Sequence, residues 1–235
     1  MLFEKIYSYE NYNSILGVLG DHGYQTRRFD QPGEDVQSSV FLRHDIDLSP
    51  VAALKIAEIE NARNQVANFF FHINAETYQC LSTEVLGQMQ EISSMGHLIG
   101  LHLDQTIMKL EDRDVRTTID WFSEVFLPVS NTVSFHRPMK SLLGKDFESF
   151  QSVYAPRFFD LDLYCSDASR NFEFFSKLEH LINGRRGPIQ WLTHPGWWEP
   201  GDDLDIFNLI RNRRSVEIKK YLHLNFRKVF GAFDV

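Results

Sequence analysis

Short apolar runs of strand length recur along this chain, and each leads into histidine or aspartate. Val40-Phe41-Leu42 leads into Arg43-His44-Asp45-Ile46-Asp47, and Ala67-Asn68-Phe69-Phe70-Phe71 into His72. Leu98-Ile99-Gly100-Leu101 leads to His102 and Asp104, and Thr132-Val133-Ser134-Phe135 to His136-Arg137-Pro138. Leu163-Tyr164-Cys165 leads to Ser166-Asp167, and Ile189-Gln190-Trp191-Leu192 to Thr193-His194-Pro195. Helical spacing lies between several of these runs. Ser49 followed by Pro50 marks a helix start, with Ala53, Ile56 and Ala57 behind it. Val85, Met89 and Ile92 form a stripe closed by Gly96, and Val115, Ile119, Phe122 and Phe126 form another stopped by Pro128.

Strands that alternate with helices predict a parallel sheet. Acidic and imidazole side chains at the strand ends point to an α/β chain folded as a (β/α) barrel, where such ends share one rim. For any single run the polar end is explained by its meeting water. That explanation weakens as the coincidence repeats. A short helix around Tyr12 to His22 precedes a polar loop from Gln31 to Ser39, and no repeat or later composition shift follows. The expectation is one domain over 1–235, with a motif-bearing core at about 40–200 and helices from both ends packed on it.

Composition narrows the function classes. Hydrophobic residues make up 43% and charged residues 24%, as in soluble globular chains. The net charge of −8 argues against nucleic-acid binding, which needs a basic face, and weakly against anionic lipid. Arg211, Arg213, Arg214, Lys219 and Lys220 read as a solvated helix face. Cys80 and Cys165 are too few for a cysteine metal site and imply no disulfide framework. The start of the chain shows no signal-like apolar run and no stretch reaches membrane-spanning length, so a cytoplasmic protein without membrane insertion is expected.

The sharpest chemical element is His44-Asp45-Ile46-Asp47. Two carboxylates two residues apart repel, and a cation relieves the repulsion. One of them would bind the cation while the other takes a proton from water; alternatively the segment is a polar turn in which Asp47 and Ser49 cap a helix. His102 ends its strand, where an imidazole ligates metal. His97 begins the same strand, on the opposite rim, and reads as structural.

Four segments in order, Arg43-His44-Asp45-Ile46-Asp47, Gly96-His97-Leu98-Ile99-Gly100-Leu101-His102, Phe135-His136-Arg137-Pro138 and Leu192-Thr193-His194-Pro195, resemble the motifs of the polysaccharide deacetylases, carbohydrate esterase family 4. The closer resemblance is to a divergent branch associated with surface-polysaccharide biosynthesis, where an Arg-His-Asp-x-Asp start and a His-Pro-x-Trp-Trp end recur. It covers about residues 40 to 200. It implies a distorted (β/α) barrel, one divalent metal ion with zinc the first choice, and hydrolysis of an acyl group, N-acetyl first, from a sugar or sugar-nucleotide precursor. By the same resemblance Asp45 is the general base, Asp47 and His102 bind metal, Arg137 orients the base, Asp167 steadies Arg137, and His194 is the general acid. Such a site lowers the pKa of water on the metal and protonates the leaving amine.

Two positions depart from the pattern. Leu48 follows Asp47 where the family has glycine, and Thr106 stands where a second ligand histidine is usual. His136, Asp104 and His72 are the candidates for the third ligand. His136 is chosen because it precedes Arg137 and ends the strand after that of His102. Trp197 and Trp198 offer flat faces to a sugar ring, or else cap the rim. Competing readings are a hydrolase of another amide or ester, and a non-catalytic carbohydrate-binding relative.

Overall fold

The structure, a computed structural model, describes residues 2–33, 37–107 and 111–230. In chain order the elements are α1 Tyr9–Asp21, β1 Gln25–Thr26, β2 Ser39–Ile46, α2 Pro50–Ala62, β3 Asn68–His72, α3 Thr83–Ser94, β4 Leu98–Asp104, α4 Asp112–Val125, β5 Thr132–His136, β6 Gln151–Ser152, β7 Tyr164–Ser166, α5 Glu173–Asn183, β8 Ile189–Thr193, α6 Asp203–Asn225 and α7 Arg227–Phe230. The strands run in the order β6-β5-β4-β3-β2-β8-β7, with β1 beside β2. Every ladder is parallel. This is the distorted (β/α) barrel expected, curled around one contiguous core.

The helices start and stop where local chemistry dictates. Ser8 caps α1 by accepting from the Asn11 amide at 3.1 Å, so the helix begins earlier than the apolar spacing from Tyr12 suggests. Ser49 caps α2 through the Ala52 amide, with Pro50 in the first turn. Gly96 adopts φ +92° just after α3, a conformation that costs a glycine nothing. The Gln31 to Ser39 loop ends one residue early, because Ser39 already pairs with Gln25. β1 and β6 carry two residues each, too short to show a pattern in sequence.

Alternation decides what faces the barrel interior. On β2, Arg43 and Asp45 point inward, and Asp47 continues the same parity just beyond the strand. His44 and Ile46 face the surrounding helices. At the lower end Phe29, Phe41, Phe70 and Phe158 plug the barrel, with Phe29 and Phe41 stacked at 5.0 Å and Phe158 edge-on to both. Gly100 makes room for that plug. A Cβ there would lie 2.6 Å from the Phe70 ring and 2.7 Å from the Thr132 carbonyl.

The barrel is open between β6 and β7, which share no ladder among the described residues. Side chains bridge that seam. Gln190 of β8 donates to the carbonyls of Val153 (2.8 Å) and Phe158 (3.2 Å), while Arg43 donates to Gln190 Oε1 (3.1 Å) and to the Tyr154 hydroxyl (2.7 Å).

Outside the barrel, the fully buried Glu60 of α2 accepts from the Tyr12 hydroxyl (2.6 Å) and pairs with His44 Nε2 (2.8 Å). His44 Nδ1 meets Thr193 Oγ1 at 2.6 Å. This chain of contacts ties α1 and α2 to β2 and β8 directly beneath the residues that carry chemistry. His97 takes the structural place expected of it, accepting from the Ala67 amide and reaching the Ala57 carbonyl. Arg213 is no part of a solvated face: it pairs with the nearly buried Glu199 at 2.7 Å and anchors α6. No helix among the described residues is long and apolar enough to cross a membrane.

Candidate active site

The upper ends of β2, β3, β4, β5 and β8 converge on a cleft of about 590 Å³ whose walls include Asp45, Asp47, His72, His102, His136 and His194. Asp47 stands at the centre. Its Oδ1 lies 3.3 Å from His102 Nε2 and 3.6 Å from His72 Nδ1, and its Oδ2 lies 3.4 Å from His136 Nδ1 and 3.7 Å from His194 Nε2. His102 Nε2 and His136 Nδ1 are 3.2 Å apart, and the His72 and His136 rings stack at 4.7 Å.

This donor set fits a divalent cation. Asp47, His72 and His136 each turn a ligand atom to within 4.8 Å of the others. Asp47 Oδ1 and His72 Nε2 are buried without a hydrogen-bond partner, the condition that a ligated cation relieves. His102 Nδ1 meets Ser134 Oγ at 2.8 Å, which leaves its Nε2 lone pair facing Asp47. Burial opposes the Asp47 charge, but the neighbouring imidazoles, His102 and His136 foremost, outweigh it and hold the carboxyl well below its usual range. Burial, with His102 beside it, pushes His72 down to about 4, so its imidazole is neutral and able to ligate. One aspartate and imidazoles suit zinc or a similar ion.

Of the three candidates for the third ligand, His72 and His136 both stand at the cluster. Asp104 does not join it: its Oδ1 accepts from the amide and hydroxyl of Thr106, both at 2.7 Å. Thr106, in the place of the usual second histidine, therefore holds a loop and offers the centre nothing.

Asp45 sits beside the cluster and is 2% exposed. Arg43 grips it twice, Nε to Oδ1 at 3.0 Å and Nη2 to Oδ2 at 2.7 Å, and Ser134 Oγ donates to the same carboxylate at 3.0 Å. Burial pushes this carboxyl up, and the Arg43 guanidinium brings it below the usual range. The result is an ionised carboxylate in the wall of the cleft.

The geometry gives Arg137 a different place from the one its motif implies. Its side chain is exposed and forms no ion pair among the described residues, while its carbonyl accepts from Gln105 at 2.7 Å. It sits at φ +47° on the lip of the cleft. The arginine on Asp45 is Arg43, from the same strand. Asp167 is likewise not paired with Arg137. Fully buried, it receives the His194 ring Nδ1 at 2.6 Å, the His194 amide at 2.9 Å and the Trp198 indole Nε1 at 2.9 Å.

His194 is therefore a carboxylate-held imidazole. Burial disfavours its charge, but Asp167 outweighs that and pushes it up to about 9, so the ring is protonated at neutral pH. Trp198 takes the second of its two expected places: at 0% exposure it packs beneath the rim, and its indole serves Asp167. Trp197 does line the cleft.

The solved structures named below share little sequence with this chain.

No protein-family model matches the sequence, and no curated protein matches it. Among solved structures the chain is similar to a family 4 acetyl xylan esterase from Clostridium thermocellum in complex with a cobalt ion, with 16% identity over 76% of this chain and 84% of that one, at a TM-score of 0.41. A peptidoglycan deacetylase from Bdellovibrio bacteriovorus is 13% identical over 87% of this chain and 67% of its own, with a TM-score of 0.44. A mutant family 4 pseudoenzyme with restored enzymatic activity is 14% identical over 76% of this chain and 62% of its own, at 0.41. The chain thus spans less than two thirds of that last protein.

Proposed function

We propose that this chain is a cation-dependent hydrolase of the polysaccharide deacetylase type, removing an acyl group, N-acetyl first, from a sugar precursor of a surface polysaccharide. One observation carries the reading. A single rim brings together a histidine–aspartate cluster suited to a cation, an ionised carboxylate and a protonated imidazole. These are the parts needed to activate water and to release an amine.

Asp47, His72, His102 and His136 would hold the cation. When bound, a zinc-like ion supplies Lewis acidity, acidifying water and polarising the acyl carbonyl. Asp45 accepts the proton of the attacking water. Arg43 and Ser134 fix the direction of its oxygens and keep it ionised. His194 gives its proton to the leaving nitrogen, held in orientation by Asp167 as Trp198 holds Asp167. Trp197, Tyr154 and Tyr164 wall the cleft, and Trp197 offers its face to a sugar ring. The usual histidine at position 106 is not required in this arrangement, because β3 and β5 each supply an imidazole. Both cysteines are unpaired and buried, in keeping with the cytoplasm, where sugar precursors are built.

The test is acetate release from N-acetylated amino sugars and their phosphates, before and after chelation, with zinc, cobalt, manganese or nickel restored. Release that is lost on chelation and returns with a cation is expected. No release with any cation from a panel of amides and esters would overturn the hydrolase reading.

A further inference from the structure

We infer that the substrate carries a long hydrocarbon chain, joined to the amino sugar through phosphate, and that the chain lies in a groove between the cleft and α6. This inference rests on the hydrolase reading above and names its substrate class.

The groove has a volume of about 770 Å³ and shares Leu48, Glu76, Thr77, Ser169 and Trp197 with the catalytic cleft as common walls. Its size is that of a site for a drug-sized or larger ligand. Ile206, Phe207, Ile210 and Ile218 of α6 form its far side; Ile210 lies four and three residues from Ile206 and Phe207, and Ile218 returns to the same side two turns later. The core does not explain that face. Ile206 is buried, but Phe207 is 59% exposed and Ile218 is 48% exposed. A polar sugar alone gains nothing from such a wall, whereas a hydrocarbon does.

Two further observations set the chemistry and direction of the occupant. Arg211 and Lys219 line the groove without an acidic partner among the described residues, whereas Arg170 and Arg214 are paired with Asp203 and Glu217. Arg211 lies over the Phe207 ring at 5.8 Å, and cations without a carboxylate partner beside an apolar wall match a phosphate that joins a hydrocarbon to a sugar. The groove also meets the cleft beside His194, because their shared walls include Trp197, three residues on from His194, and Ser169, two residues on from Asp167. His194 serves the leaving amine, so the groove lies on the sugar side of the scissile bond. The hydrocarbon therefore belongs to the part that stays with the amine, and the acyl group removed can be short.

The experiment uses the full chain with two pairs of probes below their micelle-forming concentrations. The first pair, dodecyl phosphate and butyl phosphate, reads binding by calorimetry. The second, the dodecyl and butyl esters of N-acetylglucosamine 1-phosphate, reads acetate release. A buried methylene is worth about fourfold in affinity, so dodecyl phosphate should bind at least ~10-fold tighter than butyl phosphate. Phe207→Gln and Ile210→Gln should each erase that gain. Equal binding of the two phosphates overturns the inference, as does a gain that both variants leave intact. So does ultracentrifugation showing that α6 is covered by a second copy. Acetate release from the butyl ester reports on the hydrolase reading separately. Release without chain-length dependence overturns only the groove; chain-dependent binding without release from either ester overturns the hydrolase reading and with it the role of the chain as part of a substrate.

Discussion

Arg43 and Asp45 stand two residues apart on β2 and pair with each other inside the barrel, through contacts of 3.0 and 2.7 Å and with both side chains almost wholly buried. Residues i and i+2 of a strand share a face, so the motif carries its own counter-charge. Removing one partner strands the other charge in the interior. Arg43→Ala is expected to lower stability by about 3–5 kcal/mol. Arg43→Lys should remain folded at reduced stability and lose most turnover, because a point charge cannot make the two-pronged grip. Chemical denaturation together with acetate release measures both. Wild-type turnover in Arg43→Lys would show that the grip does not orient Asp45.

The cation cluster predicts a division between two neighbouring carboxylates. Asp47→Asn, His72→Ala, His102→Ala and His136→Ala should each weaken zinc binding by at least about tenfold. Asp45→Asn should keep its zinc and lose most turnover. Equilibrium dialysis separates the two groups. Unchanged zinc affinity in His72→Ala would remove β3 from the centre and restore the ligand set Asp47, His102 and His136.

The His194–Asp167 pair predicts an alkaline limit. The imidazole is pushed up to about 9, so its proton is present at neutral pH and is lost as pH rises through that value. Turnover is expected to fall above about pH 9. Asp167→Asn removes the raising charge, and the limb should move down toward the ordinary imidazole value of ~6.5. A pH–rate profile in which Asp167→Asn leaves the limb in place would show that another group sets it.

The thiols give a check on the fold alone. Burial pushes Cys80 and Cys165 each up to about 12, so neither forms the reactive thiolate at neutral pH. A thiol reagent should label neither in the native protein and both after denaturant. Rapid native labelling of either would contradict the packing around it.

Much of this architecture can be read from the sequence, and the exceptions have physical reasons. The long strands announce themselves because each is an apolar run ending in a polar group, as with Phe69 to His72. β1 and β6 do not, since two residues carry no period. Arg43 and Ser134 share parity with Asp45 and His136 respectively, so alternation alone marks both as inward-facing. The motif resemblance drew attention to Arg137 instead. His72 carries the same signal, at the end of a strand with Asn68 and Phe70 on its inward side. Trp198 and Asp167 could not be paired in advance, because their contact joins segments 31 residues apart across the turn at Pro195–Trp198. The groove along α6 was invisible for a related reason. Its apolar residues are interleaved with charges, and only the placement of the helix over the cleft shows which face they share.

The seam between β6 and β7 gives Arg43 a second duty. Among the described residues no backbone ladder carries load across that gap, so the guanidinium, bonded at once to Tyr154, Gln190 and Asp45, works as a tie-rod across an open ring. The curvature of the wall and the charge of the reacting carboxylate are thereby set by one residue. A change there alters the bore of the barrel and the basicity of Asp45 together, so the two cannot be tuned apart without first closing the seam by other means.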